Sequence, residues 1–126
     1  MTPEGLRYTK DHEWAKKDGD LVTVGITHYA QDQLGDVVFV ELPAVGKTLA
    51  AGDTFGVVEA VKTVSDLYAP IGGTIAEVNP ALAAEPGLVN QSPYEGGWMI
   101  RIQPADPAEV DSLLDAKAYS SLLETH

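Results

Sequence analysis

Cysteine is absent from this chain of 126 residues. The absence excludes disulfides, thiol catalysis and thiolate metal sites, so any redox chemistry would have to come from an attached group. Basic residues are also scarce, since 8 Lys and Arg face 19 Asp and Glu for a net charge of −11. That balance disfavours binding to nucleic acid and predicts a monomer. No apolar run approaches the roughly 20 residues that span a bilayer, so no membrane partner is expected.

Enzyme-like groups of residues are missing as well. The histidines show no paired spacing of metal ligands; they are His12, His28 and His126. No glycine-rich loop is placed to bind phosphate, and the serines lack the sequence context of a nucleophile. We therefore expect neither a catalytic residue nor a metal site. The residues favour a carrier or an interaction module over an enzyme.

Short strand-like runs separated by turn residues make up most of the chain. Asp18-Gly19 separates two of these runs and predicts a β-hairpin. A short helix is expected between Thr27 as N-cap and Gly35 as its end. The remaining predicted elements are strands over Val37–Leu42, Lys47–Leu49, Thr74–Val78 and Trp98–Ile102, a strand-like run over Gly56–Pro70, and one helical turn within Pro80–Gly87. This pattern predicts a mainly β fold, a small barrel or sandwich with appended helices.

The hydrophobic period changes from strand-like to helical near the C-terminus. Asp106 suits an N-cap, and Pro107 suits the first helical position. Apolar residues then share one face at helical spacing; they are Val110, Leu113 and Leu114, followed by a second short piece with Leu122 and Leu123. We expect these helices to pack on the β structure.

One lysine is isolated within an apolar, strand-like run. Lys62 is the only lysine or arginine between Lys47 and Arg101. Such an arrangement makes a poor basic patch, but it can hold one amine outward for covalent modification. The structural alternative is an edge-strand lysine that discourages aggregation.

Several segments, taken together and in order, resemble the H-protein family of the glycine cleavage system. The resemblance runs from about Leu6 to Leu123. Its segments are His12-Glu13-Trp14, Gly25-Ile26-Thr27, Leu34–Pro43, Phe55–Lys62, Ser65–Pro70, Asn79-Pro80, Pro86–Asn90, Ser92-Pro93-Tyr94 and Gly97-Trp98-Met99. Ala60 and Thr63 depart from the usual Ser and Ala, and the loop at Glu95-Gly96 also differs. None of these departures changes Lys62, which lies between Ala60 and Thr63.

The resemblance implies a fold and a cofactor. It implies one lipoyl-carrier domain over residues 1–126, a flattened β-barrel of the biotinyl/lipoyl type made of two small antiparallel sheets with short helices and a C-terminal helix. A lipoyl hairpin would span about residues 55–70, and a helical segment about 106–124. Lys62 would carry lipoic acid as an amide at the hairpin tip. Biotin is the alternative cofactor, but biotin domains usually set the lysine between methionines, and here Val61 and Thr63 flank it.

The resemblance also implies a non-catalytic carrier with several partners. The carrier would take the aminomethyl group of glycine from a pyridoxal-phosphate decarboxylase (P protein) to a tetrahydrofolate-dependent aminomethyltransferase (T protein). It would then pass electrons to dihydrolipoamide dehydrogenase (L protein). Lipoylating enzymes would be further partners. The start at Met1 without a transit peptide favours a bacterial cytoplasm over a mitochondrial matrix.

The loaded arm is expected to fold into a cleft, because an aminomethyl group on sulfur is prone to hydrolysis. Its ammonium needs a carboxylate partner, and Glu13 and Asp66 are the candidates. Their structural alternatives are a solvated acid beside Trp14 and a hairpin-stabilising acid. Glu59 is a candidate for recognition by the lipoylating enzyme, although a solvent-facing strand acid would look the same.

Two other function classes remain open at this stage. The chain could be a lipoyl carrier or relay outside glycine cleavage, for example one serving 2-oxoacid dehydrogenases or a sulfur-oxidation system. It could also be an unmodified interaction module in which Lys62 is an ordinary edge residue.

Overall fold

The protein is mainly β in this computed structural model, which describes residues 3–124. Residues 1, 2, 125 and 126, and with them His126, lie outside the described part. The strands are β1 (Arg7–Tyr8), β2 (Glu13–Asp18), β3 (Leu21–Ile26), β4 (Val37–Glu41), β5 (Thr48–Leu49), β6 (Thr54–Ala60), β7 (Val64–Tyr68), β8 (Gly73–Val78) and β9 (Ile100–Pro104). The helices are α1 (His28–Leu34), α2 (Ala81–Ala84), α3 (Leu88–Gln91), a 3-10 helix (Pro107–Ser112) and α4 (Ala116–Glu124).

The strands form two sheets in which every pair is antiparallel. One sheet has six strands in the order β1-β2-β3-β9-β8-β5, and the other has three in the order β4-β6-β7. The predicted fold class, two antiparallel sheets with short helices and a C-terminal helix, is confirmed.

Both sheets contribute to one main core. Apolar side chains from β3, β4, β6, β8 and β9 pack together, with Val24, Val58, Ile100 and Ile102 fully buried. A second cluster lies beneath α4, where Tyr119 joins Leu6, Tyr8 and Trp14. Successive residues of a strand face opposite sides of its sheet, so side chains that point into the core alternate with side chains that point outward.

The hairpin predicted at Asp18-Gly19 is confirmed. The register pairs Asp18 with Leu21 across the turn, and Gly19 has a φ of 64°, which glycine adopts without strain. Further along this pair, Trp14 lies opposite Gly25. A Cβ at Gly25 would lie only 2.8 Å from the indole ring, so the absence of a side chain there makes room for the tryptophan.

The predicted helix after Thr27 is also confirmed as α1. Thr27 Oγ1 accepts a hydrogen bond from the Ala30 N–H at 3.2 Å. Gly35, with a φ of 81°, ends the helix and donates its N–H to the Gln31 carbonyl at 3.0 Å. Both ends of α1 are thus set by local residues, as capping chemistry predicts.

The C-terminal region differs in detail from the expected helical face. Asp106 is an N-cap, since its Oδ1 accepts from the Ala108 N–H at 3.0 Å, but the helix that follows is 3-10 and ends at Ser112. Leu114 instead pairs with Tyr8 through two backbone hydrogen bonds of 2.7 and 2.9 Å. This pairing with β1 replaces the helical hydrogen bonds, and the chain becomes helical again in α4.

The strand predicted over Lys47–Leu49 is confirmed as β5, but two short elements have no counterpart in the sequence prediction: β1 and α3. The last strand also begins at Ile100 rather than Trp98. Such short pieces carry little periodic signal, because two to four residues cannot display a hydrophobic repeat. Among the helices of residues 3–124, none combines the length and the apolar character needed to cross a membrane.

Candidate functional site

Lys62 lies in the tight loop between β6 and β7. The Ala60 N–H donates to the Thr63 carbonyl at 2.8 Å, which leaves Val61 and Lys62 as the two loop residues. Both are exposed. Lys62 is therefore a loop residue rather than a residue within an edge strand, and its amine is accessible for chemical modification.

Strand pairing, rather than turn residues, forms this hairpin. Val61 and Lys62 both have negative φ, since His12 is the only non-glycine residue with positive φ in the described part. The loop is therefore not a primed hairpin turn, which would need positive φ. The loop is held in place by the pairing of β6 with β7 at five positions. It is also held by the Val61 N–H, which donates to the Asp36 carbonyl at 3.0 Å.

The side chain of Lys62 lies against the C-terminal end of α1. Lys62 Cδ lies 3.9 Å from the point that a Cβ on Gly35 would occupy, so the lysine stem passes over this glycine. The Asn90 side chain donates to the Gly35 carbonyl at 2.8 Å and to Gln31 Oε1 at 3.0 Å. Its Oδ1 accepts from the Val37 N–H at 2.8 Å. One amide thus fixes the end of α1 to the start of β4.

A cleft of about 410 Å³ runs beside the hairpin along the free edge of β7. Most of its walls come from three segments, which are the loop before β2 with the first residue of that strand, helix α1, and β7 with the end of its loop. Ile26 of β3 and Val58 of β6 complete the lining. The lining residues are Asp11, His12, Glu13, Ile26, Tyr29, Ala30, Gln33, Leu34, Val58, Thr63, Val64, Ser65, Asp66 and Leu67. Alkyl and aromatic groups form much of this wall, so the cleft suits a chain that is apolar along most of its length.

Glu13 provides a buried carboxylate in this cleft, with only 2% of its surface exposed. Its Oε1 accepts from the Thr9 hydroxyl at 2.7 Å, and its Oε2 accepts from the Tyr68 N–H at 3.3 Å. Burial raises the pKa of Glu13 from 4.5 to about 7, although these two hydrogen bonds lower it. The alternative of a solvated surface acid is therefore wrong for Glu13. A buried carboxylate with two hydrogen-bond donors can still accept a cation as a further partner.

A hydrogen-bonded tyrosine connects α4 to two walls of the cleft. Tyr119 Oη lies 2.8 Å from Thr27 Oγ1 and 2.7 Å from His12 Nδ1. Burial raises the pKa of Tyr119 to about 12, so its hydroxyl stays protonated at neutral pH. His12, with a φ of 71°, also packs against Tyr29 of α1 at a ring distance of 4.7 Å. The C-terminal helix therefore fixes the rear of the cleft.

The structure separates the other two carboxylates singled out from the sequence. Asp66 lines the same cleft as Glu13 but is exposed on β7. Glu59 is absent from the cleft walls and pairs across the sheet with Phe39 and Val64. Among residues 3–124, no group of three or more His, Asp or Glu side chains is placed to hold a metal ion.

No functional role was predicted from the sequence for three residues whose hydrogen bonds hold the site in place; they are Thr9, Asn90 and Tyr119. Thr9 precedes Glu13 by four residues in an irregular loop, where no periodicity marks it. Asn90 and Tyr119 act on partners more than 50 positions away along the chain. Only the order of the family segments offered a signal, because Asn90 belongs to one of them.

Comparison with known proteins gives concordant matches. The family model described as Glycine cleavage H-protein matches residues 6–126. A glycine cleavage system H protein from Magnetococcus marinus is 60% identical over 98% of this chain and 88% of its own length. One from Geobacillus thermodenitrificans is 57% identical over 97% and 96%. The crystal structure of a glycine cleavage system H protein from Mycobacterium marinum superposes with a TM-score of 0.89 at 44% identity, covering 97% and 98% of the two chains.

Proposed function

We propose, because this chain belongs to the glycine cleavage H-protein family, that it is a non-catalytic carrier whose Lys62 holds lipoic acid as an amide. The observation that supports this assignment best is the position of Lys62. Its amine is exposed in a two-residue loop beside a cleft of about 410 Å³ that contains a buried carboxylate. Lysine suits the role because its flexible stem ends in an amine that can be acylated.

The site residues fit a lipoyl arm in two respects. The hairpin holds the amine outside the core, so an acylated side chain can extend into solvent or turn back along β7. The cleft offers apolar groups for the alkyl part of the arm, among them Ile26, Leu34 and Leu67. When bound, lipoic acid would supply a disulfide that accepts the aminomethyl group of glycine together with two electrons.

Glu13 would hold the cationic end of the loaded arm. A buried ammonium is costly without an anionic partner, and Glu13 provides one at the cleft wall. Thr9 and the Tyr68 N–H orient that carboxylate, and the α1 side of the cleft would exclude water. Asp66, exposed on β7, would attract the same charge at the cleft edge. Glu59 lies outside the cleft, and we assign it to recognition by the lipoylating enzyme.

The proposed partners follow from this carrier role. They are the glycine decarboxylase, the aminomethyltransferase and dihydrolipoamide dehydrogenase, together with the lipoylating enzymes. A flexible arm on a rigid hairpin would let one carrier reach each of these active sites in turn at high effective concentration. The chain would act as one lipoyl-carrier domain, with a lipoyl hairpin over about residues 55–70 and a C-terminal helical segment over about residues 106–124.

The first test is intact-mass measurement with fragment mapping on protein purified from its native host. We expect one lipoyl amide, located on Lys62. Lys62→Arg, which keeps the charge but cannot form the amide, should carry none. A biotinyl mass, or an unmodified Lys62 in cells with active lipoylation, would overturn the proposal.

A second test addresses the carboxylate in the cleft. Glu13→Gln removes the charge but keeps nearly the same shape, so lipoylation should proceed at the wild-type rate. Hydrolytic loss of the aminomethyl group, followed as released formaldehyde, should become about tenfold faster or more because the buried cation has lost its partner. Asp66→Asn, at the exposed edge, should have a smaller effect. Equal hydrolysis in wild type and Glu13→Gln would reject Glu13 as the partner of the cation.

A further inference from the structure

His12, the residue immediately before Glu13, has a backbone conformation that residues other than glycine rarely adopt. Its φ of 71° is the only positive φ of a non-glycine residue in the part of the chain that the structure describes. The His12 N–H donates to the Thr9 carbonyl at 3.1 Å, and the His12 carbonyl accepts from the Thr27 N–H at 2.9 Å. Such a conformation persists only where the surrounding structure imposes it, and it is frequent at functional sites. His12 and Glu13 both contribute to the wall of the cleft.

A chain of side-chain hydrogen bonds connects His12 to the start of α1. Tyr119 Oη lies 2.7 Å from His12 Nδ1 and 2.8 Å from Thr27 Oγ1. Thr27 Oγ1 also accepts from the Ala30 N–H at 3.2 Å. Thr27 is fully buried and Tyr119 is 1% exposed, so each hydroxyl proton needs an acceptor within the protein.

The number of protons fixes the direction of these hydrogen bonds. Within residues 3–124, the Thr27 hydroxyl has two partners, the Ala30 N–H, which can only donate, and Tyr119 Oη. The Thr27 proton therefore goes to Tyr119 Oη, and the single Tyr119 proton is left for His12 Nδ1. Because Nδ1 accepts this proton, it carries none of its own. His12 is thus the neutral tautomer with its proton on Nε2.

The groups around His12 would otherwise favour its charged form. The titratable groups that face it are Asp11 and Glu13 from its own segment, Tyr29 from α1, Asp66 from β7 and Tyr119 from α4. Three of them are carboxylic acids, and a nearby carboxylate stabilises an imidazolium. The hydrogen bond from Tyr119 acts in the opposite direction. A proton on Nδ1 would turn the Tyr119 hydroxyl back towards Thr27 and leave the buried Thr27 proton without an acceptor.

We propose that Tyr119 is a positioning residue for the cleft: its hydroxyl holds His12 in the neutral form with the proton on Nε2, and so keeps the Glu13 carboxylate available to the ammonium of the loaded arm. A charged His12 in the same wall would repel that ammonium and compete with it for Glu13. The inference rests on the proposed function for the loaded arm, whereas the tautomer of His12 can be tested without it.

The first experiment determines the tautomer on unmodified full-length protein by NMR of the imidazole nitrogens, whose chemical shifts distinguish protonated from free nitrogen. His12→Asn assigns the signals, since it removes one set and asparagine tolerates a positive φ. We expect His12 to carry its proton on Nε2 from about pH 6 to pH 8, the range in which histidine commonly titrates. Tyr119→Phe keeps the ring but lacks the hydroxyl, and it should show a doubly protonated His12 at about pH 6.

Tyr8→Phe is the matched control for the loss of a buried tyrosine hydroxyl. Tyr8 is fully buried and stacks on Tyr119 with 4.7 Å between ring centroids, but its hydroxyl donates to the Pro3 carbonyl. This variant should give the wild-type His12 spectrum. A wild-type protein with the His12 proton on Nδ1, or with a doubly protonated His12 throughout this range, would overturn the inference.

The second experiment follows hydrolysis of the loaded arm as released formaldehyde, after loading with glycine and the decarboxylase. At about pH 8, Tyr119→Phe should lose the aminomethyl group at nearly the wild-type rate, because His12 is neutral in both proteins. At about pH 6, the loss should be about fivefold faster than in wild type, since the charged His12 repels the ammonium. Combining His12→Asn with Tyr119→Phe should remove this extra sensitivity to acid, because asparagine takes up no proton. Tyr8→Phe should follow wild type at both pH values.

The two experiments separate the failure of this inference from the failure of the proposed function. If the wild-type protein cannot be lipoylated and loaded, the proposed function fails, and the NMR spectra still decide the tautomer. If the protein is loaded but Tyr119→Phe matches wild type at both pH values, the positioning role is overturned. Hydrolysis that is faster by the same factor at both pH values, and stays so in the combined variant, would overturn it as well and show a purely structural role.

Discussion

Glu13 combines burial with two hydrogen bonds, and the two effects act on its proton in opposite directions. Burial favours the neutral acid, whereas the Thr9 hydroxyl and the Tyr68 N–H favour the carboxylate. Burial is the larger effect and raises the pKa to about 7. On the proposed function, a cation entering the cleft would favour the carboxylate and lower this pKa. Retention of the loaded arm should therefore strengthen as the pH rises through about 7.

The raised pKa of Glu13 predicts a pH dependence of stability. The folded state holds this proton more tightly than the unfolded state, so wild-type stability should fall as the pH rises from about 4.5 to about 7. Glu13→Gln does not titrate, so its free energy of unfolding relative to wild type should increase over that interval and level off on either side. Urea unfolding at several pH values measures the difference.

Glu41→Gln is the control for this titration, since it makes the same change in charge at an exposed position of β4. Its free energy of unfolding relative to wild type, measured at the same pH values, is the reference for the Glu13→Gln difference. A Glu13→Gln difference that is flat between pH 4.5 and 7, or that falls, would show that burial does not dominate the pKa of Glu13.

At the scale of elements, the lysine loop depends on contacts that lie outside its own hairpin. Asn90 in α3 links the end of α1 to the start of β4, and the Asp36 carbonyl between them accepts the Val61 N–H. Helix, loop and hairpin are thus fixed to one another by hydrogen bonds. A rigid base of this kind would confine motion to the lysine side chain and whatever it carries.

Asn90→Ala tests this connection between elements. It removes three hydrogen bonds and leaves the Val37 N–H without its partner, so the free energy of unfolding should fall by about 2–3 kcal/mol. Amide exchange at Val61 should also become faster, because the Asp36 carbonyl that holds it loses its support. Chemical denaturation and hydrogen exchange provide the two measurements.

Gln91→Ala is the matched substitution, one residue further in the same helix and exposed. It should leave both measurements close to wild type. If Asn90→Ala lowered stability but left Val61 exchange unchanged, the amide would stabilise the fold without supporting the loop.

For the whole molecule, the net charge of −11 is the dominant long-range property. A strongly acidic carrier speeds its encounter with basic surfaces, and dissolved salt weakens that attraction because the screening length shrinks to about 8 Å at 0.15 M. On the proposed function, the KM for the lipoylated carrier in glycine-dependent carbon dioxide exchange should rise several-fold between 20 and 200 mM salt. The rate at saturating carrier should stay nearly constant, whereas a KM independent of salt would exclude steering.

Sequence reasoning succeeded where the signal is local. The Asp18-Gly19 hairpin and the Thr27 and Gly35 boundaries of α1 follow from backbone and capping preferences within a few residues. It was less successful where distant pairing overrides a local pattern, as when Leu114 pairs with Tyr8 and ends the helical face. The loop at Lys62 is a similar case, since its residues include no Gly, Asn or Pro and the strands beside it impose the turn.

The sequence by itself determined the mainly β fold class, the acidic charge, the absence of thiol chemistry and, through the order of its segments, the family. These properties depend on composition, local periodicity and motif identity, all of which can be read along the chain. Only the tertiary structure decided that Glu13 is buried, that Asp66 shares its cleft while Glu59 does not, and that Tyr119 lies between His12 and Thr27. These properties depend on which strands and helices become neighbours, and long-range packing sets that arrangement.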